Sequence, residues 1–228
     1  HKKECPGYVS KTAIYEWLRT ARGERYCKYL YSKRKYVKKR KTKYERVLIP
    51  NRVGIEQRSI GIVNRSRFGH WEDDAIVSGR QGDGSLSVSN ERKSKLVKIT
   101  KCNTMSPKEH IKAHSRIVSE YKVLSKTFDN GIENIYHEEL HHLGVKTYFC
   151  DPYSSWQKGG CENVNKMIRK YIPKGTNISK LSEEYIQYVE DKINKKPRKS
   201  LGYRSALEVA TEAGIIKNIK SEGVLIQG

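Results

Sequence analysis

Between about residues 68 and 210 the apolar side chains switch repeatedly between the period of a strand and that of a helix, and this switching most limits the fold. Residues 71–77 read as a strand. Residues 85–89 and 96–100 read as two more, joined by the polar link Asn90-Glu91-Arg92-Lys93-Ser94, so three antiparallel strands are expected. Ser106, Pro107 and Glu109 then mark a helix start, with Ile111, Ile117, Val118 and Tyr121 as its buried stripe. A strand over 123–128 ends at Asp129-Asn130-Gly131, a helix over 134–143 is closed by Gly144, and a strand over 145–150 is stopped by Asp151-Pro152. The loop 151–160 leads into a helix from about Cys161, whose apolar side is Val164, Ile168, Tyr171 and Ile172 and which Pro173 ends. Residues 182–194 and 206–210 read as further helices. Consecutive strands followed by alternating helices and strands predict an α/β sheet of mixed direction.

Charge points to the partner. The 228 residues carry 46 Lys and Arg against 25 Asp and Glu, a net charge of +21, which calls for a polyanion, nucleic acid first. The excess is uneven: residues 1–50 hold 16 of the basic side chains and 4 of the acidic ones. Eight cations, among them Lys38, Lys39 and Arg40, crowd the eleven positions 33–43 and predict an extended arm that neutralises phosphates without sequence preference. Before it, Ser10 caps a short amphipathic helix with Ala13, Ile14, Trp17 and Leu18 on one side and Lys11, Tyr15, Arg19 and Arg22 on the other. No apolar run approaches a membrane span, and the opening residues His1 to Pro6 lack the hydrophobic core of a signal peptide. Five cysteines without a Cys-x-x-Cys pair argue against a disulfide framework or a cysteine zinc site. A soluble cytoplasmic protein with reduced thiols and no membrane partner is expected.

Carboxylates at strand ends of so cationic a chain require an account. Asp74 lies within an otherwise apolar strand, Asp129 ends a later one, and Glu162 falls in the first turn of a helix. In a mixed sheet these points are expected to converge. Three acids held together repel unless divalent cations bind them, and hard Mg²⁺ or Mn²⁺ suits such oxygen ligands. Two such ions are suited to phosphoryl transfer on nucleic acid. Asn165, Lys166 and Arg169 share the helical side of Glu162, where the two cations are candidates for phosphate contacts.

Three blocks carry a resemblance. Phe68-Gly69-His70-Trp71-Glu72-Asp73-Asp74, Thr127-Phe128-Asp129-Asn130-Gly131-Ile132-Glu133, and the stretch from Tyr148 through Trp156-Gln157-Lys158-Gly159-Gly160-Cys161-Glu162-Asn163 resemble the DDE transposases of the insertion sequence thirty family. The likeness continues through Pro173-Lys174-Gly175-Thr176 and 194–203 and covers roughly residues 66–210. It implies a ribonuclease H-like integrase core, a mixed five-stranded sheet flanked by helices, in which Asp74, Asp129 and Glu162 are catalytic and bind two Mg²⁺, Mn²⁺ being an alternative. It further implies a DNA transposase that cuts element ends and joins them to target DNA, acting on double-stranded DNA as a homo-oligomer. The family usually has Gly at the position of Asp73; strand alternation lets only one of Asp73 and Asp74 face a metal, and Asp74 is chosen. The expected division is a partial DNA-binding helical region over 1–32, a basic linker over 33–64, the catalytic core over 65–211 and a tail over 212–228. Arg92, Lys93, Arg198 and Lys199 join Lys11, Arg19, Lys38, Lys39, Arg40, Lys166 and Arg169 as candidate DNA contacts.

Two other readings compete. His137-Glu138-Glu139-Leu140-His141 satisfies the His-Glu-x-x-His pattern of zinc proteases, though it leaves the three blocks and the charge unexplained. A catalytically inactive DNA-binding remnant would keep the arm and the fold. His110 and His114, four apart on a helix, are expected as surface or rim residues, and Asp151 as a strand terminator and loop cap.

Overall fold

The structure is a computed structural model that describes residues 7, 9–30, 49–79, 82–152 and 154–217. It divides into two compact units, 1–46 and 47–228. In the first, helix α1 (Lys11–Trp17) starts at Ser10, whose hydroxyl accepts from the Ala13 N–H at 3.1 Å. The helix is where its pattern places it, but Ile14 and Trp17 are exposed and only Leu18 of its apolar side is buried. Lys11 and Arg19 are also exposed. Lys38, Lys39 and Arg40 of the expected arm lie outside the described residues.

The second unit begins earlier than expected. Residues 49–64, expected as linker, include a short helix α2 (Ile60–Val63), and Ile55 and Ile62 are buried. Strand β1 (His70–Val77) pairs antiparallel with β2 (Ser85–Glu91), which pairs antiparallel with β3 (Val97–Cys102). After helix α3 (Pro107–Glu120), β4 (Ser125–Phe128) returns beside β1 in parallel, and β5 (Lys146–Phe149) adds parallel to β4. The order is β3-β2-β1-β4-β5, the mixed five-stranded sheet that the patterning and the resemblance imply. Helices α4 (Gly159–Ile168) and α5 (Glu183–Asn194) follow, then a small hairpin of β6 (Pro197–Arg198) and β7 (Arg204–Ser205) and helix α6 (Ala206–Glu212).

Alternation along the strands sorts the core into two layers. Ile76, Leu86, Val88, Val97 and Ile99 face α4 and α5, packing on Val164, Ile168, Ile186, Val189 and Ile193. Phe128 and Phe149 face the other way, onto Ile111, Val118 and Leu140. Each such aliphatic side chain taken from water contributes ~1.5–3 kcal/mol. Between β4 and β5 the chain forms two 3₁₀ turns, Ile132–Asn134 and His137–Leu143, where one helix is expected; Gly144 closes the second at φ +76°. Residues 53–54 run along the free edge of β5, with the Phe149 N–H donating to the Val53 carbonyl at 2.8 Å and Gly54 bridged to Phe149.

Candidate functional site

Strand β1 is the middle of the sheet and presents two adjacent acids to opposite layers. Asp73 points toward α3, where it is buried against Lys126 of β4, whose Nζ lies 2.6 Å from Oδ1. The Ser89 hydroxyl also donates to Oδ1, and His114 Nδ1 stands 3.5 Å away. Lys126 is fully buried; burial pushes its ammonium down and Asp73 opposes that push. Asp73 is thus consumed by an interior ion pair. Asp74 points into the opposite layer, where it meets the loop before α4.

That layer holds the candidate site. Thr127 stands opposite Glu72 in the parallel β1–β4 ladder, so continuing both strands by two residues brings Asp129 level with Asp74. Both carboxylates turn to one cation: Lys158 Nζ lies 3.1 Å from Asp74 Oδ1 and 3.6 Å from Asp129 Oδ2, and donates to the Asp73 carbonyl at 2.7 Å. Lys158 is only 7% exposed. Burial alone would lower its pKa, but Asp129 and Asp74 raise it above the ordinary lysine value. Asn165 of α4 donates to Asp74 Oδ2, and Asn134 and the Gly131 N–H donate to Asp129 Oδ1 at 3.1 and 3.2 Å. Glu133, nearly buried beside them, has its pKa raised by burial and by the charges of Asp129 and Asp74.

Glu162 does not join this pair. Its side chain is 63% exposed and bonded to Lys166 at 2.8 Å, and that hydrogen bond and charge hold its pKa down. Among the described residues no group of three His, Cys, Asp or Glu is arranged to hold a metal ion. Two of the three expected ligands fit such an ion: their hard oxygens converge on a position already taken by a cation, the Lys158 ammonium. Asn165, one turn on from Glu162 in α4, is the residue of this helix that reaches Asp74. Gly160 permits this approach. A Cβ there would sit 2.6 Å from Glu72 Oε2 and 2.8 Å from Asn90 Nδ2.

The basic candidates divide by burial. Lys166 and Lys199 are exposed. Arg92 is not available: it is buried in an ion pair with Glu72 and donates to the Val63 carbonyl. Arg169 spends its guanidinium on the carbonyls of Ile172, Pro173 and Val77, and Arg198 donates to that of Ile193. Lys93 donates to the Ser66 carbonyl and lies over the Phe68 ring. Lys158 and Asn134 are not among the expected site residues, although Lys158 stands four positions before Glu162 within one of the three family-like blocks.

The histidines of the two pairs spaced four apart bond within the protein. His110 and His114, expected at the surface or rim, are buried, the first bonded to Ser85 and the second beside Lys126. His137 and His141 of the His-Glu-x-x-His segment both bond the Thr147 hydroxyl, and the second nitrogen of His137 donates to the Pro50 carbonyl at 2.9 Å. Those nitrogens are committed to the protein, which leaves the zinc-protease reading without support. Asp151 caps its loop as expected, exchanging two hydrogen bonds with Gln157. Cys27, Cys102, Cys150 and Cys161 are free buried thiols, and burial pushes Cys102 and Cys150 up to about 11.

No protein-family model matches the chain. Among curated proteins it is 38% identical over 204 residues to the transposase for insertion sequence element IS4351 of Bacteroides fragilis, covering 86% of this chain and 61% of that protein. It is 36% identical over 170 residues to the transposase for element IS1086 of Cupriavidus metallidurans (72% and 49%), and 34% over 168 residues to the transposase for element IS30A of Escherichia coli (71% and 43%). The chain thus spans about half the length of the curated relatives it matches. Among solved structures, the catalytic core domain of BIV integrase superposes with a TM-score of 0.52 at 19% identity, covering 64% of this chain and 95% of that one. The HTLV-2 integrase catalytic core domain in complex with magnesium gives 0.50 at 17%, covering 61% and 94%. Among the described residues no helix is long and apolar enough to cross a membrane. This chain is a sequence relative of the insertion-sequence transposases, those of the insertion sequence thirty elements among them, and its mixed sheet has the fold of the retroviral integrase catalytic core.

Proposed function

We propose that the chain carries the chemistry of a DNA transposase, cutting phosphodiester bonds at the ends of an insertion sequence and joining the freed 3′-hydroxyls to target DNA. The observation that carries this reading is the pair Asp74 and Asp129, on neighbouring parallel strands of an integrase-core sheet, turned to one cation position. Their oxygens would hold Mg²⁺, or Mn²⁺, with Glu162 as the third ligand on giving up Lys166. Such ions, when bound, activate the attacking oxygen and stabilise the leaving one. The chain's own groups supply the rest. Asn165 and Asn134 fix the rotamers of Asp74 and Asp129, so the pair is held before substrate arrives. Exposed Lys166 and Lys199 offer charge for DNA phosphates. In the cut, the water oxygen bonds to phosphorus and the 3′-oxygen leaves. In the joining step that 3′-oxygen bonds to a target phosphorus and a target 3′-oxygen leaves. The partner is double-stranded DNA in the cytoplasm, and bringing two element ends together requires more than one copy of the chain.

The test is cleavage of an end-labelled duplex carrying the element's terminal sequence. Cutting that requires Mg²⁺ or Mn²⁺ and is lost in Asp74→Asn, Asp129→Asn and Glu162→Gln is expected. Binding without cutting by the unaltered chain under every divalent ion would instead establish the inactive remnant.

A further inference from the structure

The cation between the two acids belongs to the protein, and it cannot stay where it is when a metal binds. Magnesium approaches carboxylate oxygens to ~2.0–2.1 Å, far inside the 3.1 and 3.6 Å at which the lysine nitrogen now faces Asp74 and Asp129. Ammonium and metal would compete for the same oxygens with the same sign of charge. We infer that Lys158 is an internal stand-in for the divalent ion: it keeps the Asp74–Asp129 pair assembled without metal and must withdraw for metal to bind. The inference rests on the proposed metal site and adds to it a residue with two positions.

Three features support it. Lys158 is almost wholly buried, so its charge is aimed at the acids and not at solvent. Its strongest anchor besides the acids is the Asp73 carbonyl, a single neutral acceptor. It ends the 3₁₀ turn Ser155–Lys158, in which the neighbouring Trp156 is 74% exposed. A site that binds metal only when Lys158 is out has an apparent affinity reduced by the fraction of molecules in that state. Removing the ammonium abolishes that reduction.

The test is calorimetric titration of the full chain with MgCl₂, alongside amine-labelling of Lys158 read by peptide mass mapping. Lys158→Met is expected to bind Mg²⁺ at least about tenfold tighter than the unaltered chain, and Lys158→Arg no tighter. In the unaltered chain Lys158 is expected to be protected from reductive methylation in EDTA and modified at saturating Mg²⁺. The labelling uses no variant, so it decides the matter even if Lys158→Met misfolds. Mg²⁺ binding that Asp129→Asn abolishes, but at which Lys158 stays protected and Lys158→Met binds no tighter, would overturn this inference alone. No Mg²⁺ or Mn²⁺ binding by either the unaltered chain or Lys158→Met would overturn the metal site itself.

Discussion

Replacing Lys126 by Met removes the cation from the interior pair behind the site and leaves Asp73 charged, buried and short of partners. Oδ1 would keep the Ser89 hydroxyl, while Oδ2 already has no hydrogen-bond partner. Breaking one side of a buried ion pair costs ~3–5 kcal/mol because the surviving charge is uncompensated. At roughly 2–4 °C per kcal/mol for a chain of this size, the melting temperature should fall by about 6–20 °C. Adding Asp73→Leu should restore most of the loss, since no charge then remains to be solvated. His114 supplies an internal check. Beside Lys126 its pKa lies well below the ordinary value, from burial first and then from the neighbouring ammonium. With Lys126 gone, Asp73, 3.5 Å from Nδ1, becomes its counter-ion and raises it. A histidine whose folded pKa is raised contributes stability below its unfolded value, so the deficit of Lys126→Met should shrink as pH falls from 7.5 to 5.5. The assay is urea denaturation followed by far-UV circular dichroism at both pH values. A loss below about 1 kcal/mol, or a double variant as unstable as the two single losses combined, would refute the account.

Four histidines, His70, His110, His114 and His137, have pKa values lowered mainly by burial. The unfolded chain therefore binds protons that the folded one refuses, and stability should fall as pH drops below about 6.5, by up to ~1.4 kcal/mol per pH unit for each histidine. Denaturation midpoints flat between pH 7 and 5 would contradict this. Gly160→Ala should cost ~1–3 kcal/mol and impair cleavage, because the added methyl strikes Glu72 and Asn90 where α4 enters the site; an unchanged melting curve would show that the helix start yields. Glu162→Gln should leave the melting temperature unchanged, its carboxylate being exposed, while abolishing divalent-dependent cutting. Joint loss of fold and activity would assign Glu162 a structural part instead.

What the sequence made legible was period. Alternation in β1 separates Asp73 from Asp74, the 3.6 period finds α3, α4 and α5, and the order of elements implies the sheet. Side-chain partnerships across elements were not legible. Lys126 stands in a strand that reads as buried, yet nothing local says that an ammonium can sit there; Asp73, 53 residues earlier, makes it possible. His110 and His114 looked like surface or rim residues because their partners, Ser85 and Lys126, come from β2 and β4. Arg92 lies in a turn that suggests exposure, but the turn folds back so that the guanidinium meets Glu72. Residues 132–143 take two 3₁₀ turns in place of one helix, with His137 and His141 bonded to Thr147 and Leu140 packed in the layer of Phe149.

The strip laid along β5 sets where the protein can be shortened. Pro50 caps the His137 ring, Asn51 and Arg52 bond Glu138 and Asn130, and residues 53–54 occupy the backbone groups of an outermost strand. A recombinant fragment begun at Phe68, where the recognisable motifs start, would discard all of these. It would leave a bare strand inviting another molecule to add to it, and self-association would be the mark of a cut made too late in the chain.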